Sequence, residues 1–138
     1  MVLITITSCG TEDCNSTTEA VSCLDDFGCQ NAAFQLSVES QQEFELIRSQ
    51  EDFDNMVFGN CDVQVDWEEF DLVIGTIGLQ SGLASIQKSL RKDCDTNQIL
   101  LDITIITNST ALAPSITWQA VIPKLADDES LFVEILID

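Results

Sequence analysis

The pattern of apolar and polar positions changes twice along this chain. From residue 9 to about residue 30, "CGTEDCNSTTEAVSCLDDFGCQ" is polar and carries neither a helical nor a strand period. This stretch reads as a flexible polar tether, ordered only where cysteines tie it down. From Ala33 the pattern alternates. "AFQLSV" sets Phe34, Leu36 and Val38 on one face and "EFELI" follows with Phe44 and Leu46, which predicts a hairpin turning through residues 39–42. "SQEDFDNMVF" then shifts to helical spacing. Ser49 is placed to cap the N-terminus, Asp52 three residues on completes a capping box, and Phe53, Met56 and Val57 share one face. One short helix near residues 50–57 is predicted, followed by a loop, "NCDVQVDWEEF", with a single turn at residues 66–69.

Beyond Phe70 the segments "FDLVIGTI", "LASIQKSLRK", "QILLDITIIT", "SITWQAVIP" and "SLFVEILI" are rich in β-branched residues, and turn chemistry separates them. Short connections favour antiparallel neighbours. The predicted inward positions are Leu72 and Ile74; Ala84, Ile86 and Leu90; Ile99, Leu101, Ile103 and Ile105; Ile116, Trp118, Ala120 and Ile122; and Val133, Ile135 and Ile137. Leu100, Ile106, Phe132 and Leu136 fall on the other face, so both faces are expected to be partly covered, by a second sheet or by the helix. The expected fold is mostly β (α+β): a single antiparallel, sandwich-like domain over residues 31–138, with the tether at 9–30 ahead of it.

Charge narrows the partners. The chain holds 24 acidic residues against five basic ones, a formal charge of −19. That field repels phosphate backbones and anionic headgroups, so neither nucleic acid nor electrostatic membrane docking is expected. It serves solubility or a cationic partner. Histidine and tyrosine are both absent, which removes Ser-His and Cys-His nucleophilic sites. No cofactor or metal is expected. The glycines at 75, 78 and 82 do not form a phosphate loop, and the acidic turns at Asp93, Asp95 and Asn97 and at Asp127, Asp128 and Glu129 do not match a calcium loop. The chain is read as a non-enzyme.

Six cysteines are many for this length and point to an oxidising compartment. If residues 70–77 and 83–92 form a hairpin about the turn at 78–82, Cys94 comes opposite the segment holding Cys61. A Cys61–Cys94 disulfide would then contribute about 3–4 kcal/mol by closing that loop. Cys23–Cys29 is the second expected bridge. Binding is expected at the glycine-bearing turn, through Leu79, Ser81, Gly82 and Leu83, and at Trp67, whose flanking acids leave it as either core or contact.

The first residues carry a different signal. "ITSC" at residues 6–9 resembles the lipobox of bacterial lipoproteins, and the "GTED" behind it resembles the acidic export signal of Bacteroidetes surface lipoproteins. The resemblance implies that residues 1–8 are the remnant of a lipoprotein signal peptide and that Cys9 bears the lipid. It also implies that the domain works at the outer membrane, exposed at the cell surface and touching the membrane only through the anchor. With "FDLVIGTIGLQSGLASIQKS" and "APSITWQAVIPKL", residues 44–137 resemble small lipoproteins related to the C-terminal domain of PrcB, which stabilises a surface protease complex. That family's turn carries a T-G-G-Y-like signature, whereas Ser81, Gly82, Leu83, Ala84 and Ser85 stand here without a tyrosine. The resemblance implies a protein-binding or assembly module that stabilises or regulates a protease complex through a protein partner at the surface. The alternative is a small protease inhibitor or carbohydrate-binding domain using the turn at 78–85.

Overall fold

The strands divide by how many of their faces are buried. The structure, a computed structural model, describes residues 19, 20, 22, 24–29, 31–40, 42–59, 63–93 and 95–138. In chain order the elements are β1 (Glu19–Ala20), a 3₁₀ turn (Leu24–Phe27), α1 (Ala32–Gln35), β2 (Leu36–Val38), β3 (Glu45–Ile47), α2 (Gln50–Met56), β4 (Val57–Gly59), β5 (Phe70–Gly78), β6 (Leu83–Asp93), β7 (Gln98–Thr107), β8 (Ser115–Pro123) and β9 (Ser130–Ile137). The domain is mostly β with short helices. A central sheet has the order β3-β5-β8, a second sheet the order β1-β6-β7-β9, and β2 pairs with β4 apart from both.

β5 and β8 are buried on both faces over most of their length: Leu72, Val73 and Ile74 are consecutive, and every residue from Ile116 to Ile122 is buried. Such strands need cover on both sides. One face of the central sheet, with Ile47, Leu72, Ile74 and Val121, is covered by Leu24, Ala32, Leu36, Phe53, Val57, Val63 and Val65. The other, with Val73, Ile116, Trp118, Ala120 and Ile122, packs on Leu90, Ile99, Leu101, Ile103 and Ile105 of the second sheet. Burying one such Leu or Ile side chain fully stabilises by about 1.5–3 kcal/mol. β7 alternates strictly, with its odd-numbered residues inward, and so suits a sheet with one covered face.

This sorting overturns three expected pairings. β5 and β6 are not a hairpin: β5 pairs antiparallel with β8 over its length, while β6 pairs with β7, and residues 79–82 cross from one sheet to the other. The geometric argument for a Cys61–Cys94 bridge loses its premise, and both cysteines lie outside the described residues. The expected hairpin across residues 39–42 is also absent, because β2 pairs with β4 and β3 with β5. β9 is parallel to β7 rather than antiparallel to β8. β8 serves as the crossover that a parallel pair requires.

The expected helix forms over Gln50–Met56, and Val57, expected on its apolar face, begins β4 instead. The Ser49 Oγ accepts the Asp52 N–H at 3.1 Å, and Phe53 is buried. Most inward assignments hold as well, with two exceptions. Ala84 is exposed because the β6–β7 register shifts between Leu83 and Ser85, which makes Ala84 the extra residue of a bulge. Ile137 is 53 % exposed, at the open end of an edge strand.

The fold also reaches back before residue 31. Gln119 and Thr117, polar residues buried on β8, require partners, and the earlier segment supplies them: Gln119 Oε1 accepts the Leu24 N–H at 3.0 Å, and the Thr117 hydroxyl donates to the Leu36 carbonyl at 2.6 Å. β1 pairs with β6, Leu24 is buried, and Cys29 is buried and disulfide-bonded. Described residues from Glu19 onward therefore belong to the domain and not to a tether. Cys9, Cys14 and Cys23 lie outside the described residues.

One contact at the second sheet yields a pH expectation. Glu129 accepts the Ala126 N–H at 2.7 Å and pairs with Lys92 at 3.0 Å. The backbone bond is the main reason its carboxyl lies below the ordinary 4.5; burial opposes and Lys92 assists. A depressed folded pKa stabilises above the unfolded value and is lost as pH falls through the folded one. Urea unfolding between roughly pH 6 and pH 2 is expected to show a shallower acid loss in Glu129→Gln than in the parent. Superimposable curves would contradict this.

Candidate binding surface

The β5–β6 connection is built from side chains that alternately hold and present it. Leu79 is buried, and its N–H donates to the Pro114 carbonyl at 2.8 Å. Gly82 is buried too, since a Cβ there would collide with Thr110 Oγ1 and Asn108 Oδ1. Its carbonyl accepts the Asn108 N–H at 2.8 Å. Leu79 and Gly82 thus anchor the connection against the residues joining β7 to β8. Gln80 is exposed, and Ser81 and Leu83 are half-buried. A cleft of about 380 Å³ opens here, lined by Gly78, Leu79, Gln80, Ser81, Thr107 and Ile137.

Trp67 does not join them. Its indole N–H donates to Gln50 Oε1 at 3.0 Å, its ring lies 6.1 Å from Phe53, and it packs in the core on the other side of the central sheet. It is a half-buried support for α2 and not part of the turn's surface.

The outer face of the second sheet was expected to be partly covered, yet among the described residues nothing packs on it. In-register rows place Arg91, Leu100 and Phe132 together, then Ser89, Asp102 and Glu134, then Gln87, Thr104 and Leu136. Phe132 is 50 % and Leu136 56 % exposed. A shallow depression of about 320 Å³ runs over Leu100, Asp102, Phe132 and Glu134, with Arg91 paired to Asp102 at 3.5 Å. Among the described residues, cover on both faces is found for the central sheet alone. The exposed residues of β9 were visible in the sequence as apolar positions on both faces of one strand, a pattern that a doubly buried strand shares.

Asp71 is fully buried between the sheets. Its Oδ1 accepts from Lys124 Nζ at 3.0 Å; its Oδ2 accepts the Leu125 N–H at 2.9 Å and lies 3.3 Å from Arg48 Nε. Arg48 also donates to the Leu125 carbonyl at 2.8 Å. Every donor is internal, so the arrangement ties together the chain after β3, the start of β5 and the end of β8. Among the described residues no group of three or more His, Cys, Asp or Glu side chains is placed to hold a metal ion, and no helix is long and apolar enough to cross a membrane.

Comparison with family models, with curated proteins and with solved structures finds no match to this chain.

Proposed function

We propose that this chain is a non-catalytic protein-binding module, held at the outer surface of the outer membrane by a lipid on Cys9. The observation that carries the binding role is the anchored, accessible β5–β6 connection with its cleft, and a second accessible surface is the outer face of the second sheet, on which no described residue packs. Both stand on a core whose side chains are close-packed on two levels. A rigid scaffold presenting an anchored turn suits recognition, because little ordering entropy remains to be lost on binding. The lipobox-like "ITSC" and the acidic "GTED" support the anchoring, and a diacylated cysteine supplies the two chains that stable attachment needs. The resemblance to PrcB-related lipoproteins supports a role in stabilising or regulating a protease complex. A protease-inhibitor reading of the same turn is less favoured, since Leu79 and Gly82 are used to hold the turn in place.

Two measurements test this. In the native host, a photo-cross-linking residue at the exposed Gln80 is expected to give one discrete protein adduct on intact cells. Absence of any adduct from Gln80 and from Gln87 on the open sheet face would overturn the binding role. Mass spectrometry of the membrane fraction is expected to show Cys9 as a lipid-bearing N-terminus, and an unmodified Cys9 peptide would overturn the anchoring.

A further inference from the structure

We infer that β9 is an acceptor edge for an extended peptide that carries apolar and basic side chains in turn along one face. The inference rests on the protein-binding reading above and names its site and the chemistry of its partner. β9 ends the second sheet. On its inner side the Ser130 N–H donates to Asn97, the Asp138 N–H donates to Ile105 at 2.9 Å, and the Asp138 carbonyl accepts from Thr107 at 3.0 Å. Even-numbered residues thus turn their backbone groups toward β7. By the alternation of a strand, Leu131, Val133, Ile135 and Ile137 turn theirs outward, where no described strand pairs with them. Such a row is a template for another strand.

The side chains say what kind of strand. On the open face β9 presents Phe132, Glu134 and Leu136, apolar and acidic in turn, and the acidic Asp138 follows directly on its last residue. An added strand sets its own alternate side chains directly opposite these, where unlike charges and apolar pairs are favourable and like charges are not. Arg48 and Lys124 pair with Asp71, Arg91 with Asp102 and Lys92 with Glu129, while no described ion pair includes Glu134 or Asp138. With a formal charge of −19, a second copy would bring carboxylates to carboxylates. A basic strand reverses that sign. At the Ile137 end the edge opens into the cleft beside Leu79 and Ser81, which can take an apolar side chain.

The test titrates the full 138-residue chain, isotopically labelled, with a synthetic peptide repeating isoleucine, threonine, lysine and threonine, so that one face carries apolar and basic side chains in turn. The controls are a block-scrambled peptide of the same composition and a peptide with its backbone amides N-methylated. Binding is expected to shift the amides of Leu131, Val133, Ile135 and Ile137, and both controls should bind at least about tenfold more weakly. Glu134→Lys, a change at an exposed position, is expected to weaken binding about five- to tenfold. Ile135→Pro should abolish it, since proline removes an outward N–H. Equal binding of the scrambled peptide without shifts in β9 would overturn the inference. So would protection of those amides before any peptide is added, whether by a second copy or by residues 1–18 of the same chain. A cross-linked partner at Gln80 without peptide binding would reject the edge alone; absence of any partner would reject the reading beneath it.

Discussion

Replacing Arg48 and Lys124 together with methionine will destabilise the domain by about 3–5 kcal/mol, the cost of stranding a buried charge. Asp71 has no accessible surface, whereas the two cations are 40 % and 37 % exposed. The burden of desolvation therefore falls on the carboxylate, and what compensates it is the pair of cations together with the Leu125 N–H. Each single replacement leaves two of these three donors in place and should cost less, about 1–2 kcal/mol, because a partly exposed cation keeps much of its hydration. Asp71→Asn in the doubly substituted background removes the stranded charge and should recover more than half of the loss. Urea midpoints for the single, double and triple variants read this directly. If the double variant costs no more than the sum of the singles and Asp71→Asn restores nothing, the carboxylate is not held by its cations.

Trp118→Ala is expected to cost about 3–5 kcal/mol, as for other large buried side chains. Trp118 has no exposed surface and packs between the sheets, with its ring 6.5 Å from Phe44. Its indole N–H has no hydrogen-bond partner among the described residues, a deficit that Trp118→Phe removes. The phenylalanine variant should therefore lose well under half of what alanine loses. Gly75, opposite Trp118 in register, is small because of the ring: an added Cβ would lie 2.8 Å from Trp118 Cζ2 and 2.6 Å from the Glu43 carbonyl oxygen. Gly75→Ala is expected to cost about 1–3 kcal/mol by overpacking. In a Trp118→Ala background the penalty should shrink without vanishing, since the Glu43 carbonyl remains. A double-mutant cycle in guanidinium chloride measures that coupling, and strict additivity would show that the glycine and the ring do not compete for space.

The Ser49 cap, the inward face of β7 and the strand positions beyond Phe70 follow from neighbours within a few residues, and each was legible in the residue pattern. Ala84 was misassigned by one local event, a bulge that two-residue alternation does not announce. Residues 24–30 read as tether because their few apolar positions show no period, and residues 33–38 as the first strand of a hairpin because theirs alternate. Their place is fixed by Gln119 and Thr117, about eighty or more residues away in sequence, whose buried side chains bond to the backbone at Leu24 and Leu36. Of the proposed binding residues, Leu79, Ser81, Gly82 and Leu83 do come together, as adjacent residues of one connection must. Trp67, read as either core or contact, supports the helix because its N–H found Gln50.

Sequence by itself determined a mostly-β chain, its one capped helix, the alternation of β7 and one inward face each for β5 and β8, since all of these are local periods of side chains along the backbone. Tertiary structure alone decided that β5 and β6 part into different sheets, that β9 runs parallel to β7 as an open edge, and that Asp71 lies buried between Arg48 and Lys124. Pairing is a contest among strands far apart in the chain, and the contest is settled by which arrangement covers both faces of the strands that have two faces to bury.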